Sequence, residues 1–164
     1  MYSDFPQAFG PFELLRPLGR GGMAEVFLAQ ARSADGQQRA VALKRMHASL
    51  SEDVDAVEML VSEAQLAMRF DHPNIARTYE LGKHGATYFF LMEFVDGLDL
   101  GSLAAIAARA GERLDPVAVA WIVRAVARAL AHAHGLRNAD GQLLGIVHRD
   151  VSPQNVLITR DGHA

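Results

Sequence analysis

The chain has 164 residues, of which 50% are hydrophobic, and it contains no cysteine. This length and composition are sufficient for one or two small globular domains with a buried core. The formal net charge of −3 shows no basic excess, which argues against nucleic acid as a partner. Without cysteine the chain has neither a disulfide framework nor a thiolate metal site, which is typical of proteins from a reducing compartment.

The N-terminal residues carry no apolar run that would indicate a signal sequence. Asp4 and Pro6 interrupt this stretch. Nowhere do about 18 uncharged apolar residues follow one another, as a membrane-spanning helix requires. We therefore expect a soluble, cytoplasmic protein with no membrane segment in this chain.

The first predicted element is a pair of strands, over residues 12–22 and 24–31, joined by a glycine-rich turn. The turn reads Gly19-Arg20-Gly21-Gly22-Met23-Ala24. Such a turn is most often a simple hairpin, but the missing side chains also allow backbone N–H groups to close over phosphates. Because a strand rather than a helix follows, the turn is neither a Rossmann fingerprint nor a Walker A loop.

The next predicted strand, residues 39–46, follows a turn at Asp35-Gly36 and contains Lys44. Lysine is rare in this chain, since only Lys44 and Lys83 occur among the 16 Lys and Arg residues. Lys83 stands in a Gly-Lys-His-Gly turn, where we expect it to be solvated. Lys44 follows Val-Ala-Leu, which predicts a strand buried on at least one face, and a buried ammonium needs an anion.

Residues 51–70 are predicted to form a helix with Ser51 as its cap. Its apolar residues recur at the 3.6-residue spacing of a helix face, at Val57, Leu60, Val61, Ala64 and Met68. Glu63 shares the inner half of that face and Glu58 borders it, so both are candidates to meet Lys44. Pro73 ends the helix, because proline disfavours helical geometry at the residue before it. We interpret that residue, His72, as a structural part of a His-Pro-Asn turn.

Two further strands are predicted over residues 75–81 and 87–94, and the remainder of the chain is helical. Residues 100–110 form an alanine-rich helix. A longer helix begins at Asp115-Pro116, a cap followed by proline at the first helical position, and runs to about His134. His132 and His134 are not expected to bind a metal together, because residues two apart on a helix point to different sides.

The most informative stretch is Ile146–Ile158, in which two short apolar runs flank a polar loop. The loop contains His148-Arg149-Asp150, and Asn155 follows Asp150 by five positions. A tight strand-loop-strand would aim a carboxylate and an amide into one space. The pattern resembles the His-Arg-Asp-x-x-x-x-Asn catalytic loop of protein kinases.

Upstream motifs stand in the order found in protein kinases: glycine loop, strand lysine, helix glutamate, hinge and helical region. The chain resembles the bacterial branch of the eukaryotic-type, or Hanks-type, serine/threonine protein kinases over nearly its whole length. The Gly-Gly-Met-Ala-Glu-Val stretch is typical of that branch. The resemblance implies an α+β fold with a five-stranded antiparallel N-lobe and one helix, followed by the first part of a helical C-lobe. Residues 1–11 would be an N-terminal extension, 12–95 the N-lobe and hinge, and 96–164 the partial C-lobe.

The resemblance also implies a reaction and its catalytic residues. The family transfers the γ-phosphate of ATP, with Mg²⁺, to a hydroxyl of a protein substrate. Asp150 would orient that hydroxyl, and Asn155 would hold Mg²⁺. Lys44 would contact the α and β phosphates and pair with Glu63, which is placed relative to the His-Pro-Asn turn as the family's glutamate usually is.

Nucleotide contacts follow from the same resemblance. Met92 would be the gatekeeper before a hinge at Glu93–Gly97, and Asp99 would reach the ribose hydroxyls. Taken alone, Asp99 would more often be a loop or helix-cap aspartate. The residues implied to contact the nucleotide are Leu18, Gly19, Arg20, Gly21, Gly22, Val26, Ala42, Lys44, Met92, Glu93, Val95, Asp99 and Leu157.

Three features depart from the family's pattern. Ala24 stands where a third glycine would be, and Ser152 stands where serine/threonine kinases commonly have a lysine that touches the transferred phosphate. The sequence stops at Ala164, before an Asp-Phe-Gly motif. We therefore expect the 164-residue chain alone to have little activity and to self-associate through the apolar face of the helix at 115–134.

Two alternative functions stay open at this point. One is a small-molecule phosphotransferase of the aminoglycoside or choline kinase type, which also uses an Asp and an Asn in such a loop. Arg149 argues against this alternative, because in protein kinases that arginine binds a phosphorylated activation loop. The other is a non-enzymatic nucleotide-binding or regulatory kinase fragment.

Overall fold

The fold is described from a computed structural model, which covers residues 5–32 and 36–164. The predicted turn at Asp35-Gly36 involves residue 35, which lies outside the described residues. The chain divides into two compact units. The N-terminal unit comprises Met1–Asp71 and Ala76–Phe94, and the C-terminal unit comprises His72–Ile75 and Val95–Ala164.

The N-terminal unit contains a six-stranded antiparallel sheet and one α-helix. The order of the strands in the sheet is β1-β2-β3-β4-β6-β5. Its strands are β1 (Gln7–Phe9), β2 (Phe12–Arg20), β3 (Ala24–Arg32), β4 (Gln38–Met46), β5 (Thr78–His84) and β6 (Thr87–Glu93). The helix, α1, spans Val54–Ala67.

Strand β1 is the difference from the five strands that the sequence predicted. It forms within residues 1–11, which the resemblance treated as an extension. Gly10 makes the turn to β2 with φ 57°, a left-handed conformation that glycine adopts without steric cost. Phe9 pairs with Phe12 across this turn, and both rings are buried in the core. The burial of two aromatic rings therefore adds a strand at the edge of the sheet.

The two faces of the sheet carry separate apolar clusters. Successive residues of a strand point to opposite faces. On β4, Leu43 belongs to a cluster with aromatic residues of the first strands, whereas Met46 belongs to a cluster with α1. The α1 residues of this second cluster are Ala56, Leu60 and Ala64. Lys44, two residues before Met46, therefore lies on the α1 side of the sheet.

Helix α1 begins later than predicted. Asp53, not Ser51, is its N-cap, and the Asp53 carboxylate accepts a hydrogen bond of 3.1 Å from the Ala56 N–H. Residues Ala48–Leu50 form a separate 3₁₀ turn. A carboxylate caps a helix at least as well as a hydroxyl does, and it interacts favourably with the positive end of the helix dipole. The cap predicted at Ser51 was wrong for this reason.

The C-terminal unit contains two helices and a short two-stranded sheet. Helix α2 spans Leu100–Arg109 and α3 spans Pro116–His134. Asp115 caps α3 with Pro116 at its first turn, as predicted. Strand β7 (Gly97–Asp99) pairs with β8 (Leu157–Thr159).

The sequence predicted a strand on each side of the polar loop, and this prediction was wrong for the first of the two apolar runs. Only the second run forms a strand, β8, and Ile146-Val147 is irregular backbone. β8 finds its partner in β7, where Gly97 allows a close approach, since a Cβ there would lie 2.0 Å from the Ile158 carbonyl oxygen. The second run therefore forms a strand because it has a pairing partner that is distant in sequence.

Helix α3 is long and apolar enough to cross a membrane by length and composition alone. Two arginines, Arg124 and Arg128, lie in the middle of its sequence, and none of its residues is buried. Its exposed apolar side chains include Val117, Val119, Trp121 and Val123.

Candidate active site

The Lys44–Glu63 ion pair is the best-defined charged contact of the N-terminal unit. The Lys44 Nζ lies 2.6 Å from a Glu63 carboxylate oxygen and 4.9 Å from the centroid of the Phe90 ring. The contact with Lys44 shows that the register of α1 turns Glu63, and not Glu58, toward the sheet, on the side of the helix that buries Leu60 and Ala64. The side chains of Lys44 and Glu63 remain 25% and 53% exposed, and a pair this accessible stabilises the fold little. Its value lies in the fixed position of the ammonium.

Several residues predicted to contact a nucleotide share the α1 side of the sheet. Val26 pairs with Lys44, and Ala42 pairs with Met92. Residues directly opposite on neighbouring strands point to the same face, and Ala42 and Lys44 are two apart on β4. The strand register therefore brings Val26, Ala42, Lys44 and Met92 onto one surface.

The remaining predicted nucleotide residues of this unit lie at strand ends. Leu18 falls at an irregularity in the pairing of β2 with β3, and it is 39% exposed. Gly19 and Arg20 pair with Val26 and Glu25. The Glu93 N–H donates to the Arg77 carbonyl at 2.8 Å, and the Glu93 carboxylate accepts the Arg77 N–H at 3.1 Å.

The glycine-rich turn between β2 and β3 is closed by hydrogen bonds. The Gly21 N–H donates to the Ala24 carbonyl at 2.8 Å. His47 contacts the turn as well, through a ring nitrogen 2.9 Å from the Gly21 carbonyl oxygen. No sequence pattern indicated a role for His47. The one available signal was its place three residues after Lys44, directly after the strand that pairs with one arm of the turn.

In the C-terminal unit the structure brings Asp150 and Asn155 together. The Asn155 amide nitrogen donates to the Asp150 backbone carbonyl at 2.9 Å and to the Asp150 carboxylate at 2.8 Å. The Asp150 N–H donates to the His148 ring at 3.3 Å. Three hydrogen bonds thus fix the Asp150 backbone and carboxylate in an exposed loop.

Arg149 stores strain beside this aspartate. Its φ of 65° is the one positive value at a non-glycine residue in the described parts of the chain. Such a conformation costs on the order of 1–3 kcal/mol and persists only where the surroundings impose it. The residues on either side of Arg149 are joined by the hydrogen bond from the Asp150 N–H to the His148 ring.

Asp99 caps helix α2. Its carboxylate accepts hydrogen bonds from the Ser102 hydroxyl at 2.5 Å and from the Ser102 N–H at 2.8 Å. These two hydrogen bonds, the hydroxyl first, lower the pKa of Asp99. Asp99 pairs with Leu157 between β7 and β8, so two predicted nucleotide residues are neighbours here. Val95 belongs to the same unit. A contact of Asp99 with ribose stays a prediction, and the cap is what the structure shows.

Asn155 fits the role of a magnesium ligand in the chemistry of its donor atoms. Because its amide nitrogen faces two oxygens of Asp150, which can only accept, its amide oxygen is free to face a cation. Mg²⁺ prefers oxygen ligands and is usually held by one or two protein side chains plus phosphates and water. Within residues 5–32 and 36–164 no group of three or more His, Asp or Glu side chains is arranged to hold a metal.

The family model of the protein kinase domain matches residues 12–164. The chain belongs to the protein kinase domain family. The resemblance and the kinase-like α+β fold predicted from the sequence are thereby confirmed, apart from the additional strand β1.

This kinase chain is similar to several curated bacterial kinases. It is 41% identical to the tyrosine-protein kinase MasK of Myxococcus xanthus, over 95% of this chain and 24% of MasK. It is 40% identical to the serine/threonine-protein kinase PknH of Mycobacterium tuberculosis, over 95% of this chain and 22% of PknH. It is 35% identical to the serine/threonine-protein kinase PrkC of Bacillus subtilis, over 94% of this chain and 22% of PrkC. The chain spans about a quarter of the length of these relatives.

The fold of the kinase chain also has solved counterparts. Its structure matches the crystal structure of the Mycobacterium tuberculosis PknI kinase domain with a TM-score of 0.72 and 30% sequence identity. The match covers 96% of this chain and 58% of that chain. The fold is therefore that of a bacterial kinase domain.

Proposed function

We propose that the protein is an ATP-dependent serine/threonine kinase that transfers the γ-phosphate of ATP to a hydroxyl of a protein substrate. The observation that carries the proposal is the Asp150–Asn155 pair, held by the amide of one side chain on the carboxylate of the other. The Lys44–Glu63 ion pair supports it. A cytoplasmic location fits, because ATP and Mg²⁺ are abundant there.

Asp150 is suited to receive a proton from the attacking hydroxyl. One carboxylate oxygen accepts from Asn155, which leaves the other oxygen to accept a hydrogen bond from a substrate hydroxyl. This interaction orients the hydroxyl oxygen toward the phosphorus and takes its proton as the new bond forms. Positioning of this kind accounts for much of the rate of phosphoryl transfer.

Lys44 and Asn155 are suited to hold the polyphosphate. The Lys44 ammonium has three donors, of which Glu63 occupies one, so others can reach phosphate oxygens. The Asn155 amide oxygen would hold Mg²⁺, which would supply positive charge to neutralise the phosphates. The sheet surface with Val26, Ala42 and Met92 is apolar and suits the adenine base.

Serine and threonine are the proposed acceptors, because PknH and PrkC are named serine/threonine-protein kinases. MasK is named a tyrosine-protein kinase at a similar identity, so tyrosine is the competing acceptor. Ser152, in place of the family's usual lysine, is the residue of the loop where acceptor preference could differ. Acid hydrolysis of the labelled product, followed by identification of the phosphoamino acid, separates these acceptors.

The test is phosphate transfer by the full-length protein from radiolabelled ATP with Mg²⁺. Casein and myelin basic protein serve as protein acceptors, and kanamycin and choline as small-molecule acceptors. We expect label on protein serine or threonine, lost by about 10²- to 10⁴-fold in Asp150→Asn, because the general base is removed. Asp140→Asn changes an exposed aspartate of the same unit and should leave transfer intact. Label on kanamycin or choline alone, or undiminished transfer by Asp150→Asn, contradicts the proposal.

A further inference from the structure

His47, the residue directly after β4, contacts the glycine-rich turn twice. Its backbone N–H donates to the Met23 carbonyl at 3.0 Å, and its ring Nε2 lies 2.9 Å from the Gly21 carbonyl oxygen. A carbonyl oxygen can only accept, so Nε2 carries the hydrogen and donates it. One half-buried residue therefore holds two carbonyls of a turn that is otherwise exposed at its glycines.

The bond to Gly21 sets the direction of a peptide plane. In a trans peptide the C=O and the following N–H point in opposite directions. Because the Gly21 C=O points at the His47 ring, the Gly22 N–H points away from it. The Gly21 N–H already donates to Ala24, which closes the turn. The Gly22 N–H is thus turned outward, as a backbone donor must be if it is to meet an anion.

The arms of the turn are held independently of His47. The Glu25 carboxylate lies 3.3 Å from the guanidinium groups of both Arg20 and Arg45. The Arg45 guanidinium also lies 4.6 Å from the centroid of the Phe27 ring. At the tip, Met23 packs against the apolar cluster that includes α1. With both arms and the Met23 side chain anchored, the Gly21–Gly22 peptide is the part whose orientation depends on the His47 ring.

We propose that His47 is a positioning residue of the nucleotide site, which holds the glycine-rich turn with the Gly22 N–H set for a phosphate before ATP binds. The inference rests on the proposed function, since it assumes that the turn receives ATP. A donor oriented in advance lowers the conformational cost of binding. Loss of one hydrogen bond of this kind corresponds to a loss of about 3- to 10-fold in affinity. The effect falls mainly on KM for ATP, with kcat changed less, because the His47 ring contacts the turn proposed to bind the nucleotide.

The test compares three variants of the full-length protein. His47→Phe removes the donor and keeps a planar ring, whereas His47→Gln keeps an N–H donor that can reach a carbonyl. His84→Phe is the matched control, because His84 is an exposed histidine of the same sheet whose ring packs on Phe9. Affinity for a non-hydrolysable ATP analogue with Mg²⁺ is measured by calorimetry. Amide hydrogen exchange of residues 19–24 is measured without nucleotide.

We expect about 3- to 10-fold weaker nucleotide binding and faster exchange in His47→Phe, with both largely restored in His47→Gln and unchanged in His84→Phe. Wild-type affinity and exchange in His47→Phe overturn the inference, as does a His47→Gln variant no better than His47→Phe. If His47→Phe does not fold, His47→Ala takes its place with the same expectations. Absence of nucleotide binding by the wild-type protein contradicts the proposed function instead, and the exchange data still decide whether His47 holds the turn.

Discussion

The two units of this kinase chain hold their functional side chains by different means. All the buried residues found in the described parts of the chain belong to the N-terminal unit, with Leu14, Val41 and Leu43 completely inaccessible. In the C-terminal unit, all of whose residues are described, neither α2 nor α3 has a buried residue. The first unit is therefore organised by packing, whereas the second relies on hydrogen bonds, including the helix caps and the pairing of β7 with β8.

This difference decides how each proposed catalytic residue is positioned. Lys44 is fixed because its neighbours Ala42 and Leu43 are buried in a strand that pairs on both sides. Asp150 is fixed by hydrogen bonds to His148 and Asn155 within a few residues of the same loop. The proposed catalytic residues of the two units should therefore respond differently to substitutions around them.

The largest expected effect distinguishes the proposed role of Asp150 in the C-terminal unit from that of Lys44 in the N-terminal unit. In the full-length protein, Asp150→Asn should reduce transfer by about 10²- to 10⁴-fold while ATP affinity stays nearly unchanged, because the proposed partner of the carboxylate is the acceptor hydroxyl and not the nucleotide. Lys44→Met should reduce both transfer and ATP affinity, because the proposed role of the ammonium is to hold the phosphates. Single-turnover transfer and calorimetric ATP binding measure the two quantities. An equal loss of ATP affinity in both variants would show that Asp150 has another role.

A core substitution sharpens the contrast in packing. Leu43→Ala should lower the free energy of unfolding by about 2–5 kcal/mol, because it removes a completely buried side chain and leaves a cavity. Val123→Ala, at a residue of α3 that is 60% exposed, should change the free energy of unfolding by no more than about 0.5 kcal/mol. Urea unfolding followed by circular dichroism gives both values. Comparable losses in the two variants would mean that Val123 is covered in solution.

The partner of Lys44 is tested by a pair of glutamine substitutions on α1. Glu63→Gln should lower kcat/KM for ATP by about 10-fold, since an uncharged amide no longer orients the ammonium electrostatically. Glu58→Gln, five residues earlier and exposed, should leave kcat/KM unchanged. Steady-state kinetics over a range of ATP concentrations provide the comparison. The reverse pattern would falsify the register of α1.

The smallest expected effect concerns pH and the C-terminal unit. The pKa of His72 is lowered, mainly by burial and then by the positive charges of His132 and Arg128. Its ring lies 5.2 Å from the His132 ring, and its Nδ1 accepts the Asn74 N–H at 3.1 Å. A histidine whose pKa is lower in the folded state binds its proton more readily when unfolded. Its stabilising contribution is therefore present above the unfolded value, near 6.5, and is lost as the pH falls below it.

The measurement is the unfolding midpoint between pH 8 and pH 5, compared with that of His72→Phe, which cannot titrate. The wild-type midpoint should fall more steeply below about pH 6.5 than that of the variant. Parallel curves would show that the His72 ring is equally easy to protonate in the folded and unfolded states.

Local signals in the sequence were sufficient for much of this description. Asp115-Pro116 predicted the start of α3, because capping and the fixed φ of proline depend on a few adjacent residues. The order of short motifs identified the family, since each motif combines residue types that one chemistry needs at one spacing. The predicted roles of Asp150, Asn155 and the nucleotide residues follow from that membership and await measurement.

Only the tertiary structure decided features that depend on distant partners. Strand β1 exists because Phe9 and Phe12 join a core to which three other strands contribute, which no local pattern shows. Ile146-Val147 and Leu157–Thr159 are similarly apolar, but β7 supplies a partner to the second run. Glu63 rather than Glu58 meets Lys44 because the packing of Leu60 and Ala64 sets the rotation of α1. The contact between His47 and Gly21 joins residues 26 positions apart, and it arises from the register of β3 on β4, which is a property of the folded sheet.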